Sequence, residues 1–235
     1  MEKDKRMNHN TRKRNSTTLQ GGFSLIELMI VLAILTTVIA VVTQGIIQIQ
    51  KNSASEVDQV GVAQESRQFM DQILRDLRQL GYPGLAMFDP TTLTSSTDCT
   101  LDSNVACTGP ISFSSTAIQF EGDFDGSGVS EVFIQVVVPA GGSCPCTVQR
   151  GTVSKASYIG GGTPAYYTEL DYVMSQNVFT AYKFDGTAYS SSTDPLTSIK
   201  NIGVTLYVRS PQPAATGTSI TYPTTTMVSE ARISN

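Results

Sequence analysis

The distribution of apolar and polar residues gives the chain three successive periods. From Leu28 to Val42, fifteen consecutive residues carry no charge, and only Thr36 and Thr37 interrupt the apolar run. Ile46, Ile47 and Ile49 extend it. A spanning helix needs about 20 mostly apolar residues, so this stretch predicts a membrane-crossing segment at about residues 25–45. Between 51 and 80 the pattern becomes amphipathic. Val62, Phe69, Ile73, Leu77 and Leu80 recur at spacings of three, four or seven, and Val57, Met70 and Leu74 widen the stripe. Gln, Glu, Arg and Leu are good helix formers, and the first proline is Pro83. Gly81, then Tyr82-Pro83-Gly84, supplies a stop. One long helix is therefore expected over 23–80, with Asp71–Arg75 as an exposed i,i+4 pair and Gly45 as a soft point.

Beyond residue 85 the period changes from 3.6 to 2. Residues 89–110 are rich in Thr, Ser, Asp and Pro and read as a loop holding Cys99 and Cys107. Strands are expected at Ala117–Glu121, Val129–Val138, Val178–Phe184, Ile202–Arg209 and Met227–Ile233. Val132, Ile134, Val136 and Val138 are all apolar. Ile202, Val204, Leu206 and Val208 alternate with Gly203, Thr205, Tyr207 and Arg209. Both are patterns of a strand with one buried face. The expected fold is α+β: a long N-terminal helix, membrane-spanning in its first half, packed on a mostly antiparallel β-sheet head over 81–235.

Composition sharpens this reading. The 235 residues are ample for one membrane helix and one head domain, and only 15% of them are charged. The net charge of −4 is unevenly placed. Residues 1–22 hold six basic groups against Glu2 and Asp4, or +4; the other 10 basic and 18 acidic residues leave −8. A body with that balance does not attract phosphate backbones, so no nucleic-acid partner is expected. The one histidine is His9. Without it, Ser-His-Asp triads and His-ligated zinc lose their central residue, and Cys144-Pro145-Cys146 lacks redox C-x-x-C spacing. No enzyme activity is expected.

The junction Gly22-Phe23-Ser24-Leu25-Ile26-Glu27 is the most specific signal. A basic leader precedes it, an apolar run follows, and Glu27 lies within that run. A carboxylate at mid-membrane costs roughly 2.5–3.5 kcal/mol, so it calls for a partner and a task. This combination resembles the leader and helix of type IV prepilins and type II secretion pseudopilins. The leader ends Gln20-Gly21-Gly22, where many members of that family carry Lys or Arg before the last Gly. The resemblance implies removal of 1–22 by a prepilin peptidase, methylation of the new Phe23 amine, and pairing of Glu27 with a neighbouring subunit's amine. It also implies an inner-membrane precursor whose head lies outside the cytoplasm, other pilins as partners, and a final place in a pilus at the cell surface. The short basic flank agrees with that orientation. Three further stretches are similar to PilW-type minor pilins: Gly122–Gly128, Leu206–Pro211 and Glu230–Ile233. The implied function is a minor pilin; the alternatives are a minor type II secretion pseudopilin or a tethered binding domain that never assembles.

Two candidate sites remain in the head. Asp123, Asp125 and Ser127 occupy positions 1, 3 and 5 of a half EF-hand-like loop, with Gly126 between them and Glu131 at position 9. That makes a candidate calcium site, although position 12 is Ile134. The competing reading is an Asp/Gly hairpin turn between two strands. The four cysteines, Cys99, Cys107, Cys144 and Cys146, lie in the part expected outside the cytoplasm, where disulfides persist. Three connectivities are open, from two local bridges to two crosslinks between the 99–107 loop and the 144–146 turn.

Overall fold

The computed structural model describes residues 22, 24–84, 98–100, 102–216 and 219–233. Helix α1 (Leu25–Gln79) contributes to two compact units that divide between Ile47 and Gln48. In the first unit every described side chain is exposed, including Leu25, Ile26, Leu32 and Ile39. The hydroxyls of Thr36, Thr37 and Thr43 donate to the carbonyls of Ala33, Ile34 and Ile39 at 2.8–2.9 Å. Polar groups folded back in this way leave an outer surface suited to an apolar medium.

In the second unit the amphipathic turns of α1 meet a sheet. Val62, Phe69, Met70, Ile73, Leu77 and Leu80 are buried. Ser66 occupies the stripe as well, and its hydroxyl donates to the Val62 carbonyl at 2.7 Å, so its burial leaves no orphan donor. Val57 departs from expectation. It is 66% exposed, and the buried apolar stripe begins at Val62. The helix ends as the sequence indicates: Gly81 adopts a φ of +81°, and its N–H donates to the Glu121 carbonyl at 2.9 Å. A Cβ on Gly81 would lie 3.2 Å from Thr108 Cα, so glycine is favoured there by space as well as by φ.

The sheet is antiparallel throughout. Its strands are β1 (Ser112–Phe113), β2 (Ala117–Gly122), β3 (Ser130–Val137), β4 (Cys146–Ser154), β5 (Ala165–Val173), β6 (Phe179–Lys183) and β7 (Ile199–Arg209). A short helix, α2 (Lys155–Ile159), follows β4. A separate hairpin, β8 (Ala214–Thr216) with β9 (Ser219–Thr221), precedes the last sheet strand, β10 (Thr224–Arg232). The order is β1-β2-β3-β4-β5-β7-β10. Strand β6 pairs with the first half of β7, whereas β5 meets β7 at the single register pair Val173–Val208. The even-numbered side chains Ile118, Phe120, Val132, Ile134, Val148, Ile202, Val204, Leu206 and Val208 are buried in one cluster with the α1 stripe. Burying each such side chain fully is worth about 1.5–3 kcal/mol.

The five strands expected from sequence are present, with ends shifted by up to three residues. Five others among the described residues, β1, β4, β5, β8 and β9, escape a reading by period. The register of β4 shifts twice against β5, between Cys146 and Val148 and again between Val148 and Gln149, which breaks the alternation. Arg150 also stands where a period-two pattern wants a hydrophobe. Arg150 has a partner on the helix. Its Nε and Nη2 donate to Asp76 Oδ2 at 3.1 and 2.9 Å. Among the described residues the ion pairs are Asp76–Arg150, Glu121–Lys155 and Lys183–Asp194, so the expected Asp71–Arg75 pair is not formed. The neighbouring carboxylate, one residue on and turned inward, makes the bond instead.

Burial raises the Asp76 pKa above the ordinary carboxylate range, and this outweighs the Arg150 charge and hydrogen bonds that act in the opposite direction. The pair thus costs about as much to desolvate as it returns. Asp76→Ala, which leaves Arg150 unpaired, is expected to destabilise the head by about 3 kcal/mol. Asp76→Leu combined with Arg150→Met is expected to fall within about 1 kcal/mol of the natural protein. Pulse proteolysis of the full chain in urea and detergent measures both; a double variant as unstable as the single one would make the pair a net stabiliser.

Candidate functional site

The N-terminal site is assembled by the first turn of α1. Gly22 is exposed, while Phe23 and the leader residues 1–21 lie outside the described residues. The Ser24 carbonyl accepts the N–H of Glu27 at 3.0 Å and of Leu28 at 3.1 Å, which fixes the first turn. Glu27 is the acidic residue of that turn and is exposed among Leu25, Ile26 and Leu28. A carboxylate near a helix N-terminus is favoured by the orphan N–H groups there. By length and composition α1 can cross a membrane. A helix with this surface must be covered by lipid or by other helices, and Glu27 is the charged group it carries into that covering.

Of the four calcium candidates, Asp123, Asp125 and Ser127 share one turn, and Glu131 lies apart from it. Asp123 Oδ1 accepts the Gly126 N–H at 2.8 Å, and Asp125 Oδ1 accepts both the N–H and the hydroxyl of Ser127, at 2.9 and 2.6 Å. These hydrogen bonds hold the Asp125 carboxyl below its ordinary pKa. The loop is the Asp/Gly turn joining β2 to β3, with Gly126 and Gly128 at positive φ. Glu131 is not part of it. It lies within β3, 3% exposed, and accepts from Gln119 Nε2 at 3.0 Å. Among the described residues no three Asp, Glu, Cys or His side chains cluster as a metal site. A strand begins at Ser130, so the ninth loop position is carried off on a ladder.

The cysteines form two local bridges, Cys99–Cys107 and Cys144–Cys146. The first closes a loop that lies over the sheet, and this loop covers a charged cluster that the sequence reading missed. Even-numbered side chains of β2 and β3 face the helix, so Gln119, Glu121, Glu131 and Phe133 point to the other face. There Lys155 Nζ donates to Glu121 Oε2 at 2.6 Å, to the Val105 carbonyl at 2.7 Å and to the Cys99 carbonyl. Glu121 Oε2 also accepts the Cys107 N–H at 2.7 Å. The signal was available: a hairpin centred on Gly126 sets Glu121 opposite Glu131.

With this geometry in place, comparison with known proteins bears on the N-terminal segment. Residues 18–43 match the family model described as the prokaryotic N-terminal methylation motif. That stretch of the chain is similar to the N-terminal segment of type IV prepilin-like proteins. The match spans the Gly22–Phe23 junction, Glu27 and the exposed apolar turns of α1. Together with the helix it points to a membrane-anchored precursor. No curated protein and no solved structure matches the chain. The head is therefore understood from its own geometry.

The local bridges give a direct expectation. Non-reduced peptide mapping of protein from its own membrane should find Cys99 linked to Cys107 and Cys144 linked to Cys146, with no thiol alkylated in the absence of reductant. A 99–144 or 107–146 crosslink would show that the loop is tied to the sheet in another way.

Proposed function

We propose that this chain is a minor pilin, a structural subunit of a type IV pilus that enters the filament through α1. The observation that carries this reading is the exposed apolar stretch 25–47 of α1, whose one acidic group is Glu27, within a matched methylation motif. Prepilin peptidase cuts between Gly22 and Phe23, and the Phe23 amine is methylated. The helix then leaves the membrane for a core of neighbouring helices, where Glu27 pairs with the N-terminal amine of another subunit. Two charges that are each costly in hydrocarbon become one hydrogen-bonded pair. The head passes from the periplasmic side to the pilus surface. A type II secretion pseudopilin uses the same N-terminal features. The stretches Gly122–Gly128, Leu206–Pro211 and Glu230–Ile233, similar to PilW-type minor pilins, favour the pilus.

Cleavage has a simple readout. Removal of 22 of the 235 residues leaves 213, so intact mass should give a chain beginning at a methylated Phe23. An N-terminus that still includes Lys13 would remove the prepilin reading.

Assembly is tested through Glu27. In Glu27→Leu the neighbour's amine is left unpaired in an apolar core, at a cost of several kcal/mol. The variant should be inserted and cut normally, yet stay in the inner membrane and be missing from sheared filaments. Immunoblots of membrane and sheared fractions decide this. Entry of the Leu variant at wild-type levels would show that Glu27 has no role in assembly.

A further inference from the structure

Glu121 and Glu131 stand directly opposite one another in the β2–β3 ladder. Like charges at such a position destabilise a sheet. Here both are sealed from water, at 2% and 3% exposure, and share one cation, Lys155, at 1%. An ammonium has three N–H donors. Those of Lys155 go to Glu121 Oε2, the Val105 carbonyl and the Cys99 carbonyl. None is left for Glu131, whose neutralisation must come from elsewhere. A proton on Glu131, hydrogen-bonded to Glu121, supplies it.

We propose that Glu121, Glu131 and Lys155 form a proton-loaded latch that holds the disulfide loop 98–107 on the sheet and loosens when Glu131 loses its proton. With the proton in place, Glu121 and Lys155 form a balanced pair with three hydrogen bonds to the loop: from Lys155 to the Cys99 and Val105 carbonyls, and from the Cys107 N–H to Glu121. Once the proton is lost, two carboxylates face one ammonium. Lys155 can then approach Glu131 only by giving up a loop carbonyl, and water must enter to solvate the excess charge. Among the described residues the charged groups acting on Glu131 are Glu121 from β2 and Lys155 from α2; the loop contributes backbone carbonyls and an N–H.

Burial first, then the hydrogen bond to Glu121 and its charge, push the Glu131 carboxyl up to about 7, against the Gln119 hydrogen bond and the Lys155 charge. This lies above the ordinary value of 4.5, so the contribution to stability is full at acid pH and lost as pH rises through about 7. The latch is closed in acid and loosened in mild alkali.

Hydrogen exchange of the full chain in detergent micelles at pH 5.5 and 8.5, corrected for the intrinsic pH dependence of exchange, tests this. In the natural protein, peptides covering 98–107 should lose protection at pH 8.5 by up to about thirty-fold, the limit set by the roughly 1.5 pH units between pH 5.5 and a pKa of about 7. Peptides from β7 should keep theirs. Glu131→Gln, which retains a donor to Glu121 but has no proton to lose, should show equal loop protection at both pH values. Unchanged wild-type protection would overturn the latch, as would an equal loss in Glu131→Gln or a loss spread over β7. Should the variant fail to accumulate, the wild-type profile and its midpoint decide alone.

Discussion

The head depends on one contact, between the Val62–Leu80 stripe of α1 and the even-numbered side chains of the sheet. Phe69, Ile73, Leu77 and Leu80 are buried in one cluster with Phe120, Val132, Ile134 and Val204. A single sheet with one bare apolar face is not stable in water, so it must be closed by a second layer. Here the second layer is the helix. The C-terminal end of that layer is pinned by polar groups: the Gly81 N–H on the Glu121 carbonyl, and Asp76 on Arg150. Removing the stripe would expose both layers at once, which is why the amphipathic half of α1 belongs to the same compact unit as the strands.

The first half of α1 obeys a different constraint. Its side chains are as apolar as the stripe but are exposed around the whole helix. A helix that is hydrophobic all round needs a surrounding apolar medium. The switch between the two regimes is written in composition: Lys51, Asn52 and Ser53 follow the last isoleucines, and Glu56 and Asp58 follow them. Intrahelical hydrogen bonds satisfy the backbone in either medium. A helix is thus the one element that can serve both as an anchor and as the second layer of a head.

How far the sequence was legible follows from which signals are local. Period and breakers are local, and they located α1, its end at Gly81 and the strands of strong alternation, β3 and β7. Strand β4 was lost because its residues answer to distant partners. Arg150 is explained by Asp76, 74 residues away, and Gly151 by the Tyr166 ring, which lies 2.8 Å from where a Cβ would sit. Val57 was placed in the stripe because it fits the period, but the reach of the sheet is a tertiary property. In the N-terminal segment the junction, Glu27 and the apolar run were all visible, since a peptidase and a membrane both read local chemistry. The calcium reading rests on residues that a turn also explains. It took Asp123, Asp125 and Ser127 as ligands, whereas short polar side chains beside glycines also satisfy their own turn.

The two buried ion pairs of the head illustrate why burial of charge has no single meaning. Asp76–Arg150 joins helix to sheet, and Arg150 is partly open to water, with 17% of its side chain exposed. Its carboxylate is disfavoured by burial more than it is helped by its partner. Glu121–Lys155 is sealed, and its two side chains gather contacts from β2, α2 and the disulfide loop. A hydrophobic replacement could fill that volume but could not accept the Cys107 N–H or donate to the loop carbonyls. Those backbone groups lie in a segment with no strand to satisfy them, so the charged pair takes the place that a β-ladder occupies elsewhere in the head. The second carboxyl, Glu131, is the consequence of putting a charge on that ladder position: its cross-strand neighbour must be neutral, and a carboxyl can be neutral only while it keeps a proton.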